Sequence, residues 1–183
     1  MNSKVRKALS LFSVSVLTVV LLNVADAPAK AAPCKPVKPT GKTVGIIKAG
    51  SVELPIKAFS YPAGGVMEPQ GTTLAAGLSK RHMPLNSKVG TSVITWHINY
   101  QGCWNDLNIL MSQKPGFRFS ITDENGKVRR YEIEKKLVVD KGEYKKSWFT
   151  LVSPRKLTLV TCTGTFKNGH YTDNMIFIAT PVS

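Results

Sequence analysis

The sequence predicts a mostly-β fold, a barrel or sandwich of roughly seven or eight short strands with two minor helices. Between residues 43 and 183, short apolar runs rich in β-branched and aromatic residues recur, and Gly, Pro and Asn residues separate them. The segment 91–98 (TSVITWHI) is typical of a central strand. Asn125-Gly126, with an apolar run on either side, is the strongest hairpin signal in the chain.

The individual elements follow from the spacing of the apolar residues. The predicted strands, in chain order, are Val44–Ile47, Val52–Ile56, Thr91–Ile98, Phe117–Ile121, Val128–Ile133, Lys136–Asp140, Lys156–Cys162 and Asn174–Thr180. Ala49-Gly50 marks the turn between the first two strands. Apolar residues at helical spacing predict a short helix over Cys103–Met111. Tyr144–Val152 predicts a second helical turn, with Trp148 and Leu151 facing inward.

The N-terminus has the features of an export signal. Lys4, Arg6 and Lys7 precede an uncharged run from Ala8 to Ala25. As a helix this run would rise about 27 Å, against about 30 Å for a bilayer core. The upstream positive charges keep that end in the cytoplasm and place the rest of the chain outside. Residues 1–27 are therefore a signal anchor of a single-pass plasma-membrane protein with an extracellular domain, or a signal peptide whose cleavage gives a secreted protein.

A spacer separates this segment from the folded domain. Residues 28–42 are rich in proline and lysine, and proline neither continues a helix nor joins the centre of a sheet. We therefore expect a semi-extended linker that packs little against the domain. The domain itself is predicted to span residues 43–183, because no second boundary interrupts that stretch.

The charge balance limits the classes of partner. Lys and Arg number 25 against 11 Asp and Glu, a formal net charge of +14. A strongly basic protein favours anionic surroundings such as nucleic acid, lipid head groups or cell-wall polymers. No segment interleaves basic and aromatic residues as single-strand nucleic-acid binders do, so nucleic acid is not an expected partner.

The chain contains three cysteines, and an odd number in an exported protein leaves at least one outside an intramolecular disulfide. A bond between Cys34 and Cys103 is one open alternative. A zinc site built from Cys103, Cys162, His97 and His170 is another, although no ligand spacing typical of zinc supports it. We predict neither a metal nor another cofactor.

Cys162 and His97 are the candidate catalytic residues. Each stands near the end of a predicted strand, so each side chain is expected at a sheet rim beside a loop. Taken alone, a strand cysteine is often a small apolar residue, and a histidine beside Trp96 is often a bonded core residue. Taken together, a thiol and an imidazole are what acyl transfer requires, because the thiolate attacks and the imidazole protonates the leaving amine.

The sequence resembles the sortase family in four segments that occur in the expected order. TLVTC at 158–162 resembles the sortase signature, whose last residue is the nucleophile. GGVMEP at 64–69, VGTSVITWH at 89–97 and HYTDNMIFIAT at 170–180 resemble motifs of the actinobacterial class F or class E sortases. The resemblance covers residues 43–183, which is nearly the whole exported domain.

The resemblance implies a closed eight-stranded barrel and a cysteine transpeptidase. It implies that Cys162 is the nucleophile and His97 the general acid/base. The substrate would be an LPxTG-like sorting-signal peptide of a secreted protein, cleaved after Thr through a thioacyl intermediate. The acceptor would be an amine of a peptidoglycan precursor or a pilin at the cell wall.

Two departures from the family pattern affect the expected site. Sortases carry an Arg on the strand after the nucleophile, whereas the matching stretch here offers Thr172 or Asn174 as the stabiliser of the oxyanion or substrate. Charge could instead come from a neighbouring loop through Lys167, His170 or Arg155. Trp96 replaces the Gly that usually precedes the His, so we expect its ring to narrow the groove. The alternative function is a catalytically weakened sortase-fold module that binds peptide or anionic wall polymer.

Overall fold

The computed structural model describes residues 33–61, 67–143 and 145–183. The predicted export signal, residues 1–27, lies outside these ranges. Within the described ranges, no helix has both the length and the apolar character that crossing a membrane requires. The strands are β1 (Thr43–Ala49), β2 (Val52–Phe59), β3 (Ala76–Ser79), β4 (Thr91–Trp96), β5 (Asn99–Tyr100), β6 (Cys103–Trp104), β7 (Arg118–Asp123), β8 (Val128–Asp140), β9 (Lys156–Lys167) and β10 (His170–Val182).

Eight of these strands close into a barrel in the order β1-β2-β3-β4-β9-β10-β8-β7. The pairs β2–β3 and β4–β9 are parallel and the others are antiparallel. Strands β5 and β6 form a separate hairpin directly after β4. The prediction of a mostly-β protein with a closed eight-stranded barrel is confirmed.

Alternation along the strands separates an interior core from an outer apolar cluster. On β9, Leu157 and Leu159 are fully buried in the main core, together with Trp96 of β4. Val160 lies between them and Cys162 in sequence and belongs to a second cluster around Trp148, Ile176 and Ile178. This second cluster covers the outer face of β8, β9 and β10, which is the face that continues into the candidate site.

Both helical segments are short 3₁₀ helices, and each differs in detail from its prediction. The first spans Asp106–Ser112 and begins later than expected, because Cys103 and Trp104 pair in β6 and the Asn105 side chain caps the helix by accepting from the Leu107 N–H. The second spans Lys146–Trp148. Trp148 is buried as predicted, whereas Leu151 is 48% exposed, so the inward orientation predicted for Leu151 is wrong.

Strand β9 continues past Cys162 to Lys167, so the prediction that Cys162 ends a strand is wrong. The turn at Asn168-Gly169 explains the extension. Both residues have positive φ, at 50° and 83°, as a two-residue type I′ hairpin requires. This turn lets β9 and β10 pair beyond the barrel, whereas the parallel partner β4 stops opposite Thr161. Cys162 is therefore at the rim of the β4–β9 pairing, in the middle of its own strand.

The segment before β1 is attached to the domain, contrary to the expected loose linker. Cys34 forms a disulfide with Cys103, which settles the alternative that the sequence left open. Further along, the Thr40 N–H donates to the Gln70 side chain at 3.0 Å. The disulfide removes Cys103 as a thiolate ligand, so the zinc alternative is wrong. Among the described residues, no group of His, Cys, Asp or Glu is arranged to hold a metal ion.

Candidate active site

Cys162 and His97 follow two residues that pair across neighbouring strands. Trp96 of β4 is the register partner of Thr161 of β9, and each candidate residue comes next in the chain. Because Trp96 and Thr161 are buried inside the barrel, period-two alternation directs the next side chains to the outer face. His97 and Cys162 are both half-buried. The fold thus brings the two predicted residues to the same rim and the same face.

Lys141 supplies a positive charge at the thiol. Its Nζ lies 3.5 Å from the Cys162 Sγ. The residue follows the last position of β8, and its backbone N–H donates to the Thr172 carbonyl of β10 at 3.4 Å. Val139, two residues earlier, packs in the outer cluster, so alternation places Lys141 on the same face. A positive charge at this distance attracts the negative charge that the sulfur carries when it acts as a nucleophile. The sequence analysis did not identify this residue.

The His97 imidazole is held by two neighbours. Its Nε2 lies 3.3 Å from the Pro69 carbonyl oxygen, and its ring stacks on Tyr100 with centroids 5.5 Å apart. A carbonyl can only accept a hydrogen bond, so the contact assigns the proton of the neutral ring to Nε2. Nδ1 is then the nitrogen that remains available to accept or return a proton.

The electrostatic surroundings favour the neutral form of His97. Burial is the largest influence and lowers the pKa of His97 below its usual value of 6.5. The hydrogen bond to Pro69 and the negative charge of Glu68 oppose this by raising the pKa, and the positive charge of Lys141 lowers it. The charge of Lys141 thus lowers the pKa of His97, and its Nζ lies 3.5 Å from the Cys162 Sγ, so the three groups belong to one site.

The two predicted stabilisers differ in what their side chains can offer. Asn174 is the register partner of Cys162 across β9 and β10, so its side chain is the nearest cross-strand neighbour of the thiol on that face. Its amide has no hydrogen-bond partner among the described residues, so its N–H groups can turn to a substrate. The Thr172 hydroxyl donates to the Asp173 carboxylate at 2.6 Å and accepts from the Thr165 N–H at 3.0 Å. Its single proton is therefore committed, and Asn174 is the better donor.

The other cations considered from the sequence lie elsewhere. Arg155 is buried, and its guanidinium donates to Tyr131 at 3.2 Å, to Ser92 at 2.8 Å and to the Leu85 carbonyl at 3.2 Å. These hydrogen bonds hold the Arg155 side chain within the protein, so its N–H groups do not point toward a substrate at the thiol. Lys167 and His170 flank the turn at the exposed end of the β9–β10 hairpin.

Trp96 does not shape the groove, so that expectation is wrong. Its side chain is 2% exposed, lies in the interior core, and donates from Nε1 to the Asn108 side chain at 2.9 Å. The reason is the alternation of β4, which turns residue 96 inward when residue 97 points outward. A large ring at this position fills the barrel and leaves the outer face to His97.

An apolar surface adjoins the thiol on the outer face. Val160 precedes Cys162 by two residues on β9, and Val139 pairs with Asn174 across β8 and β10. Both are partly buried members of the outer cluster. The thiol therefore stands between an apolar surface on one side and the half-buried imidazole with its loops on the other.

The family model for the sortase domain matches residues 48–182. Among solved structures, sortase C1 of Streptococcus agalactiae in complex with MTSET is similar at a TM-score of 0.60 and 17% identity, over 77% of this chain and 69% of that chain. The lid mutant of sortase A from Corynebacterium diphtheriae has a TM-score of 0.60 and 19% identity, over 80% and 73% of the two chains.

Sortase C1 from Streptococcus suis is similar at a TM-score of 0.58 and 20% identity, over 78% of this chain and 74% of that chain. No curated protein matches the chain. At these identities the structural likeness shows the fold, and the family model identifies the family independently. The family resemblance found in the sequence is confirmed, and the chain belongs to the sortase family.

Proposed function

We propose that this protein is a cysteine transpeptidase that cleaves an LPxTG-like sorting peptide and transfers it to an amine. One observation carries the proposal. Cys162 is the single cysteine outside the disulfide, and it lies 3.5 Å from the Lys141 ammonium on the strand next to the one that leads into His97. A thiolate, a cation and an imidazole on one rim are the groups that thiol acyl transfer uses.

The reaction follows from the roles of these groups. The Cys162 thiolate attacks the carbonyl carbon of the substrate Thr, and a tetrahedral intermediate forms with negative charge on oxygen. Collapse breaks the C–N bond, and protonated His97 gives its Nδ1 proton to the leaving amine, which leaves a thioester on Cys162. An acceptor amine then attacks the thioester, His97 takes a proton from that amine, and the thiolate departs. The Cys162 thiolate and protonated His97 are restored, with one amide bond broken and one formed.

The charge on the tetrahedral oxygen needs donors in place of the usual Arg. The Asn174 amide is free to donate, and the Lys141 ammonium contributes positive charge within reach of the thiol. The loss of one oxyanion donor typically costs about 10²–10³ in rate, so these groups matter to turnover. Thr172 is the weaker candidate because its hydroxyl proton is already bonded.

Location and acceptor are proposed from chemistry. The Cys34–Cys103 disulfide fits an oxidising exterior, which supports export by residues 1–27 and an extracellular domain at the plasma membrane, anchored or released. The positive charge of the chain fits an anionic cell wall as surroundings. The acceptor would be the amine of a peptidoglycan precursor or of a pilin, and the assignment to class F or class E stays a prediction.

The alternative, a weakened module that binds peptide or wall polymer without turnover, rested on the missing Arg and on the excess positive charge of the chain. Lys141 provides positive charge at the thiol by another route, so the absence of Arg no longer favours that alternative. We therefore favour the enzyme.

The experiment that tests the function is trapping of the acyl intermediate. The protein is incubated with an LPxTG peptide, and Cys162 is examined by mass spectrometry for the added acyl fragment, with Cys162→Ala as the control. We expect a thioacyl adduct on Cys162 that disappears when an amine such as triglycine is added. Peptide binding without any adduct over the range pH 6–9 would favour the binding module instead.

A further inference from the structure

We propose that the segment of residues 34–40, called the strap, positions His97 for proton transfer and does so through the Cys34–Cys103 disulfide. The inference rests on the proposed function, in which His97 carries the proton. The strap lies outside the β-barrel and contacts neither the thiol nor the imidazole in any hydrogen bond. It acts through the two chain segments that do contact the imidazole.

The first of these segments is the β5–β6 hairpin, which begins two residues after His97. The disulfide joins Cys34 to buried Cys103 of this hairpin, and the Lys35 N–H donates to the Gln101 carbonyl at 3.1 Å. Tyr100 belongs to the same hairpin and stacks on the His97 ring. One covalent bond and one hydrogen bond therefore tie the residue on the face of the imidazole to the strap.

The second segment is the loop that precedes β3. The Gln70 amide accepts from the Thr40 N–H at 3.0 Å and donates to the Thr40 carbonyl at 3.0 Å. The Thr72 hydroxyl donates to the Val37 carbonyl at 2.6 Å. Pro69, whose carbonyl oxygen meets His97 Nε2, is the residue directly before Gln70. With a further bond from the Thr40 hydroxyl to the Gln70 side chain at 3.3 Å, four hydrogen bonds connect the strap to the loop that carries the Pro69 carbonyl.

The two segments also meet each other beside His97. A Cβ atom added to Gly71 would lie 2.6 Å from the Tyr100 ring, so the loop and the hairpin are in close contact there. The strap, the loop and the hairpin thus close a ring of contacts around one face and one edge of the imidazole. Because the disulfide is the covalent member of this ring, its removal frees the hairpin and the strap together.

The chemical consequence concerns the tautomer of His97. The Pro69 carbonyl holds the proton on Nε2 and leaves Nδ1 as the nitrogen that exchanges a proton with the substrate amine. If Pro69 and Tyr100 moved away, the ring would populate both tautomers and other orientations. A misplacement of about 1 Å at a reacting group can cost about 10²-fold in rate, so a moderate loosening should be measurable.

The test compares the chain with Cys34→Ser/Cys103→Ser, which leaves Cys162 in place. Gln70→Leu is the second variant, because it loosens the strap while it keeps the disulfide. Ile47→Ala is the control, since β1 stands on the opposite side of the barrel and the change lowers stability without touching the strap. Imidazole ¹⁵N shifts report the tautomer, and the chain has three histidines, so His82 and His170 serve as internal references.

In the parent chain we expect the ¹⁵N shifts of His97 to show the proton on Nε2. In both strap variants we expect a mixture of tautomers and a fall in kcat for acylation of about ten- to a hundredfold, with KM changed much less. Ile47→Ala should keep both the tautomer and kcat at a temperature where it is folded. Unchanged tautomer and kcat in the folded strap variants would overturn the proposal. A failure of the proposed function would look different, because the parent chain itself would then form no thioacyl adduct while the tautomer comparison could still be made.

Discussion

The charge of Lys141 should control the reactivity of the thiol. The perturbation is Lys141→Met, which keeps a long apolar side chain and removes the ammonium 3.5 Å from Cys162 Sγ. Lys141 is exposed, so the attraction between ammonium and thiolate is best taken at the dielectric constant of water. At this separation the attraction amounts to about 1.2 kcal/mol, so its removal can slow the reaction of the sulfur anion by at most about sevenfold.

Alkylation with iodoacetamide measures this directly, because Cys162 is the one cysteine that is not in a disulfide. At neutral pH, Lys141→Met should react about two- to sevenfold more slowly than the parent chain, because the reacting sulfur anion loses this attraction and regains only part of it as intrinsic nucleophilicity. Lys141→Arg should retain most of the rate because it retains the charge. Lys127→Met is the matched control, since it removes the same charge from an exposed turn at Asn125-Gly126, away from the site.

The result that would refute the reasoning is equal alkylation of the parent chain and Lys141→Met at every pH between 6 and 9. In that case the ammonium does not act on the thiol in solution, and the positive charge must come from another group. If Lys127→Met slowed the reaction as much as Lys141→Met, net charge of the protein rather than the local contact would explain the rate.

Four further predictions concern the disulfide, His97 and Asn174. Cys34→Ser/Cys103→Ser opens a loop with a sequence separation of 69, so unfolding free energy should fall by about 4 kcal/mol on the chain-entropy account, which calorimetry can test. Because burial lowers the pKa of His97, protonation of His97 opposes folding: its contribution to stability should be full above about pH 6.5 and should be lost as pH falls through the folded pKa. Glu68→Gln should lower that pKa further in an NMR titration, and a rise would contradict the assigned charges. Asn174→Ala should reduce kcat by about 10²-fold with little change in melting temperature, and an unchanged kcat would remove Asn174 from the oxyanion site.

Several features of this protein were determined by the sequence alone because they depend on neighbours in the chain. Alternating apolar residues predicted seven of the eight barrel strands, although they divided the continuous strand β8 into two and did not predict the short strand β3. Asn125-Gly126 predicted the β7–β8 turn. The four sortase-like segments predicted the family that the comparisons then showed. Asn168-Gly169 is a second Asn-Gly pair, with polar neighbours, and it forms the β9–β10 turn that extends the strand containing Cys162.

The tertiary structure decided which charges and loops reach the site. Lys141 follows a strand that touches β9 only through β10, so its approach to Cys162 depends on barrel closure and on the register of two strand pairs. Arg155 was the more obvious cation in the sequence, but its buried guanidinium donates its hydrogen bonds to groups of the barrel and of a neighbouring loop. Trp96 and His97 show the same dependence between neighbouring residues. Successive side chains on a strand point to opposite faces, so a shift of one residue would exchange the one that faces the core with the one that faces outward. Local patterns specify elements, whereas contacts between elements distant in sequence follow from how those elements pack, and the candidate site consists mostly of such contacts.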